Sequence, residues 1–147
     1  MSEILVDDED GHFLSSYRWS TSGSYAMCVT AGRTLYLHRL ILGALAESRE
    51  VDHINGNRLD NRRSNLRPAT RSQNAANQAR RSDNRSGFKG VGYASRQAGS
   101  KKWRARVHRN GKQVWVAYFA TPEEAAKAYD AKASEVHGEF CRPNGER

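Results

Sequence analysis

Side chains between residues 52 and 74 have the types that hydrolysis of a phosphodiester requires. Such a reaction needs a divalent metal ion to polarise the phosphate and a base to activate water. Asp52 supplies a hard carboxylate oxygen, and Asn74 can supply a second oxygen ligand. His53 is a base whose ordinary pKa is near physiological pH. Together these residues predict a site for metal-assisted hydrolysis.

The local elements decide whether these side chains can meet. Adjacent residues of a regular strand point to opposite faces, so Asp52 and His53 can serve one site only where their strand ends or bends. The Asn55-Gly56 turn just beyond them predicts such an end. A helix from Thr70 to about Ala79 is expected to carry Asn74. Two further amides on neighbouring faces of that helix stay open as ligands that assist or replace Asn74: Asn77 and Gln78.

The segment around these residues resembles the HNH homing endonuclease family, in the branch whose last motif residue is Asn rather than His. The matching motifs are Leu37-His38-Arg39-Leu40, Val51-Asp52-His53-Ile54-Asn55-Gly56-Asn57, Leu59-Asp60-Asn61-Arg62, Asn65-Leu66-Arg67 and Gln73-Asn74. The likeness spans roughly residues 17 to 77. It implies a β-hairpin and a helix around a metal ion, the ββα-metal core of a DNA endonuclease.

The resemblance also implies a role for each motif residue. Asp52 and Asn74 would hold one divalent cation, usually Mg²⁺, with Mn²⁺ as a substitute. His53 would be the general base, and the side-chain amide of Asn65 would pin the loop that carries the histidine. Asp60-Asn61 fits a loop-ordering role better than a ligand role. The residues leave two rivals open: a non-catalytic DNA-binding regulator that uses the same fold as a scaffold, and an RNA-binding or RNA-cleaving protein.

The first 50 residues are expected to form the scaffold of this site. The pattern predicts strands at Glu3–Val6, Tyr25–Thr30 and Thr34–His38, the last two around the turn Ala31-Gly32-Arg33, and then an apolar helical segment at Leu37–Leu45.

Positive charge is concentrated in the middle of the chain. The excess of Lys and Arg over Asp and Glu is −3 in residues 1–50, +12 in residues 51–110 and −1 in residues 111–147. This is the distribution expected of a protein that binds a phosphate backbone. Residues 80–86 hold no apolar side chain and are predicted to be a basic linker. Its arginines are candidate DNA contacts: Arg80, Arg81 and Arg85.

Beyond the linker the pattern predicts three strands and a helix. Strands are expected at Phe88–Ser95, Trp103–Arg109 and Lys112–Phe119, the last two joined by an Asn110-Gly111 hairpin turn. Thr121-Pro122-Glu123-Glu124 has the signals of a helix start, and the helix is expected to stop at Gly138.

Regular pairing across the Asn110-Gly111 turn sorts the predicted hairpin into two faces. One face would pack on the helix: Trp103, Ala105, Val107, Val114, Val116 and Tyr118. The other would be open to a partner: Arg104, Arg106, His108, Gln113, Trp115 and Phe119. An ordinary sheet face with a cation-aromatic ladder stays open as an alternative.

Residues 87 to about 144 resemble the Apetala-type, ethylene-responsive-factor DNA-binding domain. The motifs that carry the likeness are Phe88-Lys89-Gly90-Val91, Lys102-Trp103-Arg104-Ala105, Val114-Trp115-Val116, Phe119-Ala120-Thr121-Pro122-Glu123-Glu124-Ala125-Ala126 and Ala128-Tyr129-Asp130. The resemblance implies a sheet that enters the DNA major groove. The candidate contacts are Lys89, Arg96, Arg104, Arg106, His108 and Trp115. Gly92 and Ala94 stand where that family often carries arginines, so its recognition sequence does not transfer.

These patterns predict an α+β protein with an N-terminal ββα-metal nuclease core and a C-terminal three-stranded antiparallel sheet packed on one helix. The expected domains are residues 1–79, a linker at 80–86, and residues 87–147. The expected activity is magnesium-dependent cleavage, as nicking, of double-stranded DNA by a homing or mobile endonuclease. The acidic N-terminus and the lack of a long apolar run favour an intracellular, cytoplasmic protein with no membrane partner. A phage gene expressed in a bacterial host stays open as its setting. A monomer and a weak dimer both stay open.

Overall fold

The computed structural model describes residues 3–22 and 24–145. Contacts divide the chain into two compact units, Met1–Thr70 and Arg71–Arg147, which we call the first unit and the second unit. The first unit holds two small two-stranded sheets, and the second holds a three-stranded antiparallel sheet and a long helix. The predicted α+β class is therefore confirmed. No helix in the described ranges is both long enough and apolar enough to cross a bilayer.

The first unit is built from short elements. Its helices and strands are α1 (Gly11–Ser16), β1 (Met27–Thr30), β2 (Arg33–Tyr36), α2 (Leu37–Leu42), β3 (Glu50–His53) and β4 (Leu66–Ala69). The predicted hairpin of β1 and β2 is confirmed, and both Ala31 and Gly32 take positive φ in its turn. Antiparallel pairing joins β3 to β4, with Asp52 opposite Arg67 and His53 opposite Leu66.

Three sequence-based expectations for the first unit need correction. The strand expected at Thr34–His38 ends at Tyr36, and His38 lies on the helix that follows. The stretch Glu3–Val6 is not a strand but makes one parallel bridge, Leu5 with Asp60, because its neighbour is a loop rather than a strand. The helix expected at Leu37–Leu45 ends at Leu42, since Gly43 takes a φ of 53° and a 3-10 turn follows. The elements α1 and β4 were not predicted from the sequence.

A small apolar cluster fixes β3 and β4 against α2. Its buried members are Ala26, Leu37, Ile41, Ala46, Val51 and Leu66. Val51 lies on β3 one residue before Asp52, and Leu66 lies directly opposite His53. Packing of these two side chains therefore sets the position of the end of β3.

The second unit contains three strands and a long helix in the predicted order, but the first strand covers only Val91–Tyr93 of the predicted Phe88–Ser95. Its elements are α3 (Arg71–Asn77), β5 (Val91–Tyr93), β6 (Trp103–Arg109), β7 (Lys112–Phe119) and α4 (Pro122–His137). The boundaries of β6 and β7 agree with the prediction, and Asn110 and Gly111 both take positive φ in the turn between them. The start of α4 is also confirmed, because the Thr121 side chain accepts a hydrogen bond from the Glu124 amide.

The core of the second unit lies between α4 and one face of the sheet. Its buried members are Val91, Ala105, Val107, Ala125, Ala126, Tyr129 and Ala133. Gly90 is required for this packing, since it has a φ of 74° and a Cβ there would lie 2.1 Å from the Tyr129 ring. The sheet is thus held tightly to the helix on its inner face.

The predicted pairing of β6 with β7 is wrong beyond two residue pairs. Arg109 pairs with Lys112 and His108 with Gln113 as expected, but a bulge then places Val107 opposite Trp115 and Arg106 opposite Val116. An extra residue in one strand reverses the faces of all later residues. Trp115 and Phe119 therefore pack against the core.

The outer face of the sheet consequently differs from the one expected. Because directly opposed residues share a face, Val116 and Tyr118 lie beside Arg106 and Arg104. Val114 and Val116 are among the exposed large hydrophobic residues of the described chain. The prediction that Trp115 lies on the open face is thus wrong. The prediction that Arg104 and Arg106 lie on the face turned away from the core is confirmed.

Candidate active site

Asp52 and His53 occupy the last two positions of β3, which ends at His53 as the turn signal predicted. Both are almost fully buried, with 2% and 4% of their surface exposed. Arg67, directly across on β4, donates from Nε and Nη2 to Oδ2 of Asp52, each at 2.8 Å. The cross-strand pair fixes the direction of the Asp52 carboxylate.

The His53 ring is oriented by a buried amide. His53 Nε2 lies 3.3 Å from Oδ1 of Asn61, and Nδ2 of Asn61 donates to the Leu59 carbonyl at 3.1 Å. The second bond fixes which way the Asn61 amide points, so its oxygen faces the histidine and accepts from Nε2–H. In that tautomer Nδ1 carries the lone pair and is the nitrogen that can accept a proton.

Burial lowers the pKa of His53 below its ordinary value of 6.5. The hydrogen bond with Asn61 and the Asp52 carboxylate oppose this effect, and the Arg58 charge adds to it. The ring is therefore unprotonated at neutral pH, which is the form that a general base requires.

Asn65 connects both sides of the loop that follows β3. Its Oδ1 accepts from the Asn55 amide at 2.9 Å, and its Nδ2 donates to the Asp60 carbonyl at 2.8 Å. The Ile54 amide also donates to the Asn65 carbonyl at 2.9 Å. This geometry is the one that a loop-pinning amide would need.

Asp60 orders the same loop through its carboxylate. It accepts from Arg62 Nε and Nη2 at 2.8 and 2.7 Å and from Asn55 Nδ2 at 2.9 Å. The hydrogen bonds with Arg62 are the main reason that the pKa of Asp60 is lowered. Asp60 is 1% exposed, so an ionised, fully bonded carboxylate holds this turn together.

A second histidine lies against His53. The His38 ring, at the second position of α2, is 5.2 Å from the His53 ring in an edge-to-face arrangement. Its Nδ1 is buried and has no hydrogen-bond partner among the described residues. Burial, with contributions from His53 and Arg39, lowers the pKa of His38 to about 3. The two imidazoles thus share the site as neutral rings.

Two tyrosines complete this aromatic cluster. The Tyr25 ring lies 5.3 Å from His38 and 6.1 Å from His53, and Tyr36 lies 5.6 Å from His38. Above the Tyr25 ring, the guanidinium carbon of Arg58 is 4.6 Å from the ring centroid. Aromatic rings therefore lie beside His53, and the Arg58 guanidinium lies over one of them, that of Tyr25.

The remaining motif residue, Asn74, lies on α3 in the second unit. The first unit by itself thus brings together Asp52, His53 and Asn65. Within residues 3–22 and 24–145, no three side chains of the His, Cys, Asp and Glu types form a group that could hold a metal ion. The expected donor set, one carboxylate and one amide oxygen, is smaller than such a group, and both oxygens are hard ligands that suit Mg²⁺.

The predicted DNA contacts of the second unit have different surroundings. Arg85, Arg96, Arg106 and His108 are exposed. Arg104 is half-buried, and its Nε has no hydrogen-bond partner within the described chain. Lys89 donates to the carbonyl oxygens of Ala76 and Arg142, and burial lowers its pKa to about 8.

Two of the linker arginines form polar contacts within the protein. Arg80 donates to the Asn84 carbonyl at 3.0 Å, and Arg81 forms an ion pair with Asp83 at 3.0 Å. Asn84 and Ser86 donate from their side chains to the Phe88 carbonyl. The end of the basic segment is therefore tied to the start of the sheet domain, although the predicted boundaries at 79 and 87 stay predictions.

Sequence reasoning missed the contacts that four residues make with His53 or Asp52. Arg67 could have been found from the register of β3 and β4, had β4 been predicted. Asn61 was expected only to order the loop, although its amide faces the histidine. Nothing in the local sequence indicated that Tyr25 and His38 would meet His53, because these contacts join distant parts of the chain.

Comparison with known proteins agrees with the resemblance of the first motif to HNH endonucleases. A family model described as HNH endonuclease matches residues 35–76, a range that includes Asp52, His53, Asn65 and Asn74. The chain is 35% identical over 137 residues to an uncharacterized HNH endonuclease of Acanthamoeba polyphaga mimivirus, covering 89% of this chain and 68% of that protein. It is also 32% identical over 100 residues to protein 3.8 of Escherichia phage T7, covering 68% of this chain and 79% of that protein. No solved structure matches the chain.

Proposed function

Because the chain belongs to the HNH endonuclease family, we propose that it cuts double-stranded DNA by Mg²⁺-assisted hydrolysis at the end of β3. The observation that carries this proposal is the buried His53 ring, oriented by Asn61 beside the Asp52 carboxylate. Burying polar groups costs free energy unless they are hydrogen-bonded, and the hydrogen bonds here hold His53 and Asp52 in one arrangement.

In the proposed reaction His53 accepts a proton from a water molecule through Nδ1. The water oxygen attacks the phosphorus, the bond to the 3′ oxygen breaks, and that oxygen takes a proton from a solvent water molecule. The products carry a 5′-phosphate and a 3′-hydroxyl. Asn61 supports this step because its oxygen holds the proton-accepting tautomer. The buried, neutral state of the ring supplies a base at physiological pH.

Asp52 and Asn74 are the proposed holders of the metal ion. When bound, such an ion polarises the phosphate and stabilises charge on the leaving oxygen. Arg67 fixes the Asp52 carboxylate through Oδ2, so it is proposed to orient this ligand. Asn65 is proposed to hold the loop after His53 through its bonds to Asn55 and Asp60.

The second unit is proposed to bind the DNA that is cut. Its sheet is compatible with an Apetala-type domain, and its outer face presents Arg106 beside Val116 and Arg104 beside Tyr118. Cations of this kind contact phosphates or guanine edges, and exposed valines can contact thymine methyl groups. The proposed setting is a homing or mobile endonuclease.

One chain contributes one His53 site, so a monomer is proposed to nick a single strand. Supercoiled plasmid and phage genomic DNA, incubated with the protein in Mg²⁺ or Mn²⁺, would test the proposal. We expect nicked products that DNA ligase seals directly, because sealing requires a 5′-phosphate. Asp52→Ala should abolish the product, while the matched control Glu47→Gln, at an exposed acid of the same unit, should leave it unchanged.

Two results would contradict the catalytic proposal. One is intact DNA with the wild-type protein in both metals, which is what a non-catalytic DNA-binding regulator would give. The other is equal cleavage by Asp52→Ala.

A further inference from the structure

Carboxylates neutralise most of the arginines that surround the nuclease site in the first unit. Arg62 is paired with Asp60, and Arg63 with Asp10, each with a shortest distance of 2.7 Å. Arg67 is paired with Asp52 at 2.8 Å. A guanidinium that is already paired with a carboxylate has little attraction left for a phosphate, so these three arginines have structural roles.

Arg58 is held in a different way. It makes no ion pair within residues 3–22 and 24–145, and its guanidinium carbon lies 4.6 Å from the centroid of the Tyr25 ring. An aromatic face attracts a cation without cancelling its charge. The side chain is therefore positioned while its charge and its hydrogen-bond donors remain available to a ligand.

The Tyr25 ring also connects this cation to the base. Its centroid lies 6.1 Å from that of His53, and the Arg58 charge is close enough to lower the pKa of His53. Arg58 and His53 are moreover joined by the loop that Asn65 and Asp60 hold in place. A DNA strand presented to His53 would thus pass a fixed, uncompensated positive charge.

We propose that Arg58 is a phosphate-binding catalytic residue, whose guanidinium donates hydrogen bonds to non-bridging oxygens of the phosphate presented to His53. This inference rests on the proposed DNA cleavage at His53. The planar guanidinium matches phosphate oxygens in a two-pronged geometry that an ammonium group cannot reproduce. Tyr25 is the positioning residue that holds the guanidinium at the site.

The contact should act on the rate as well as on binding. Charge on the non-bridging oxygens must be stabilised as water attacks, and a preorganised donor supplies this stabilisation in the transition state. We expect Arg58→Gln to reduce the single-turnover cleavage rate at saturating protein by about 100-fold, the effect typical of losing one such donor. Arg58→Lys should recover only part of that loss.

Tyr25 variants separate positioning from folding. Tyr25→Leu should cleave about 10-fold more slowly than the wild type because the attraction of the ring for the cation is lost. Tyr25→Phe keeps the aromatic face and should therefore cleave faster than Tyr25→Leu. Arg33→Gln, at an exposed arginine in the β1–β2 hairpin of the same unit, is the matched control for loss of one charge.

The closing experiment measures two quantities for wild type, Arg58→Gln, Arg58→Lys and Arg33→Gln. The first is the single-turnover rate on supercoiled plasmid. The second is the slope of log Kd against log salt for a 30-base-pair duplex, measured with His53→Ala in each background so that the DNA stays intact. Loss of one phosphate contact should reduce the slope by about one for Arg58→Gln and leave Arg33→Gln unchanged.

An Arg58→Gln rate equal to that of Arg33→Gln would overturn the inference, whatever the slope. If the wild-type protein cleaves no DNA, the proposed function fails, and the slope alone then decides whether Arg58 contacts a phosphate. If Arg58→Gln does not fold, Arg58→Lys and the Tyr25 pair decide: wild-type rates in Arg58→Lys and Tyr25→Leu would overturn the assignment.

Discussion

In the first unit the polar side chains at the end of β3 are buried, whereas in the second unit the cations of the sheet lie at the surface. Asp52, His53 and Asn61 are 2%, 4% and 0% exposed. Arg106 and His108 are exposed on β6. Polar and charged side chains are thus buried in one unit and exposed in the other.

The difference separates two tasks. Buried, hydrogen-bonded groups have one geometry and can be placed against a reacting atom, at the cost of desolvating them. Exposed cations keep their side-chain mobility. Their charge attracts the DNA backbone but does not hold a reacting atom in one position. Changes in the first unit should therefore alter the rate of cleavage, and changes on the outer sheet face should alter affinity.

The largest expected effect on stability concerns the inner face of the second unit. Trp115 packs on the core beside α4, and Val114 is exposed at the bulge. Trp115→Ala should lower the free energy of unfolding by at least about 2 kcal/mol, because a large apolar side chain is lost from the core. Val114→Ala should change it by less than about 1 kcal/mol. Urea unfolding of both variants checks this prediction. Equal stabilities would indicate that β6 and β7 pair in the regular register, without a bulge.

The next effect concerns the orientation of the base. Asn61→Ala should reduce the saturating cleavage rate by about 10- to 100-fold with little change in Kd, since the proton-accepting tautomer of His53 loses its partner. Asn61→Asp keeps an acceptor oxygen and should recover most of the rate. Single-turnover kinetics distinguish the variants, and a wild-type rate for Asn61→Ala would show that the buried amide has no part in the reaction.

The smallest expected effect is a pH dependence of stability. The pKa of His38 is about 3 in the folded protein and near 6.5 when unfolded. Between these values the unfolded chain binds more protons, so stability is complete above pH 6.5 and falls as the pH is lowered through it. His38→Phe removes this contribution and leaves that of His53.

Between about pH 7.5 and pH 5, wild type should therefore lose about 1–2 kcal/mol more than His38→Phe. Urea unfolding at the two pH values, where carboxylates stay ionised, gives the comparison. Identical losses would mean that His38 is not buried as a neutral ring.

Local signals in the sequence predicted the parts of the fold that depend on neighbouring residues. The Asn110-Gly111 turn and the Thr121 cap determined β6, β7 and the start of α4, because each needs only a few adjacent residues. The Asp52-His53 pair and the Asn55-Gly56 turn likewise predicted a strand end.

Other features depend on packing and could not be predicted in this way. The bulge in β7 has no local signal, because it is the packing of Trp115 and Phe119 on α4 that favours it over regular pairing. The approach of His38 to His53 depends on the apolar cluster that fixes α2 against β3. Pairwise contacts between distant residues thus completed the candidate site.

The separation of cutting from binding is tested most directly by measuring Kd and the saturating single-turnover rate for His53→Ala and Arg106→Ala. We expect His53→Ala to bind DNA like the wild type and to cleave about 100- to 10,000-fold more slowly, the range for loss of a general base. Arg106→Ala should bind more weakly and cleave at the wild-type rate once saturated. A wild-type rate for His53→Ala, or a lower saturating rate with unchanged Kd for Arg106→Ala, would contradict the account.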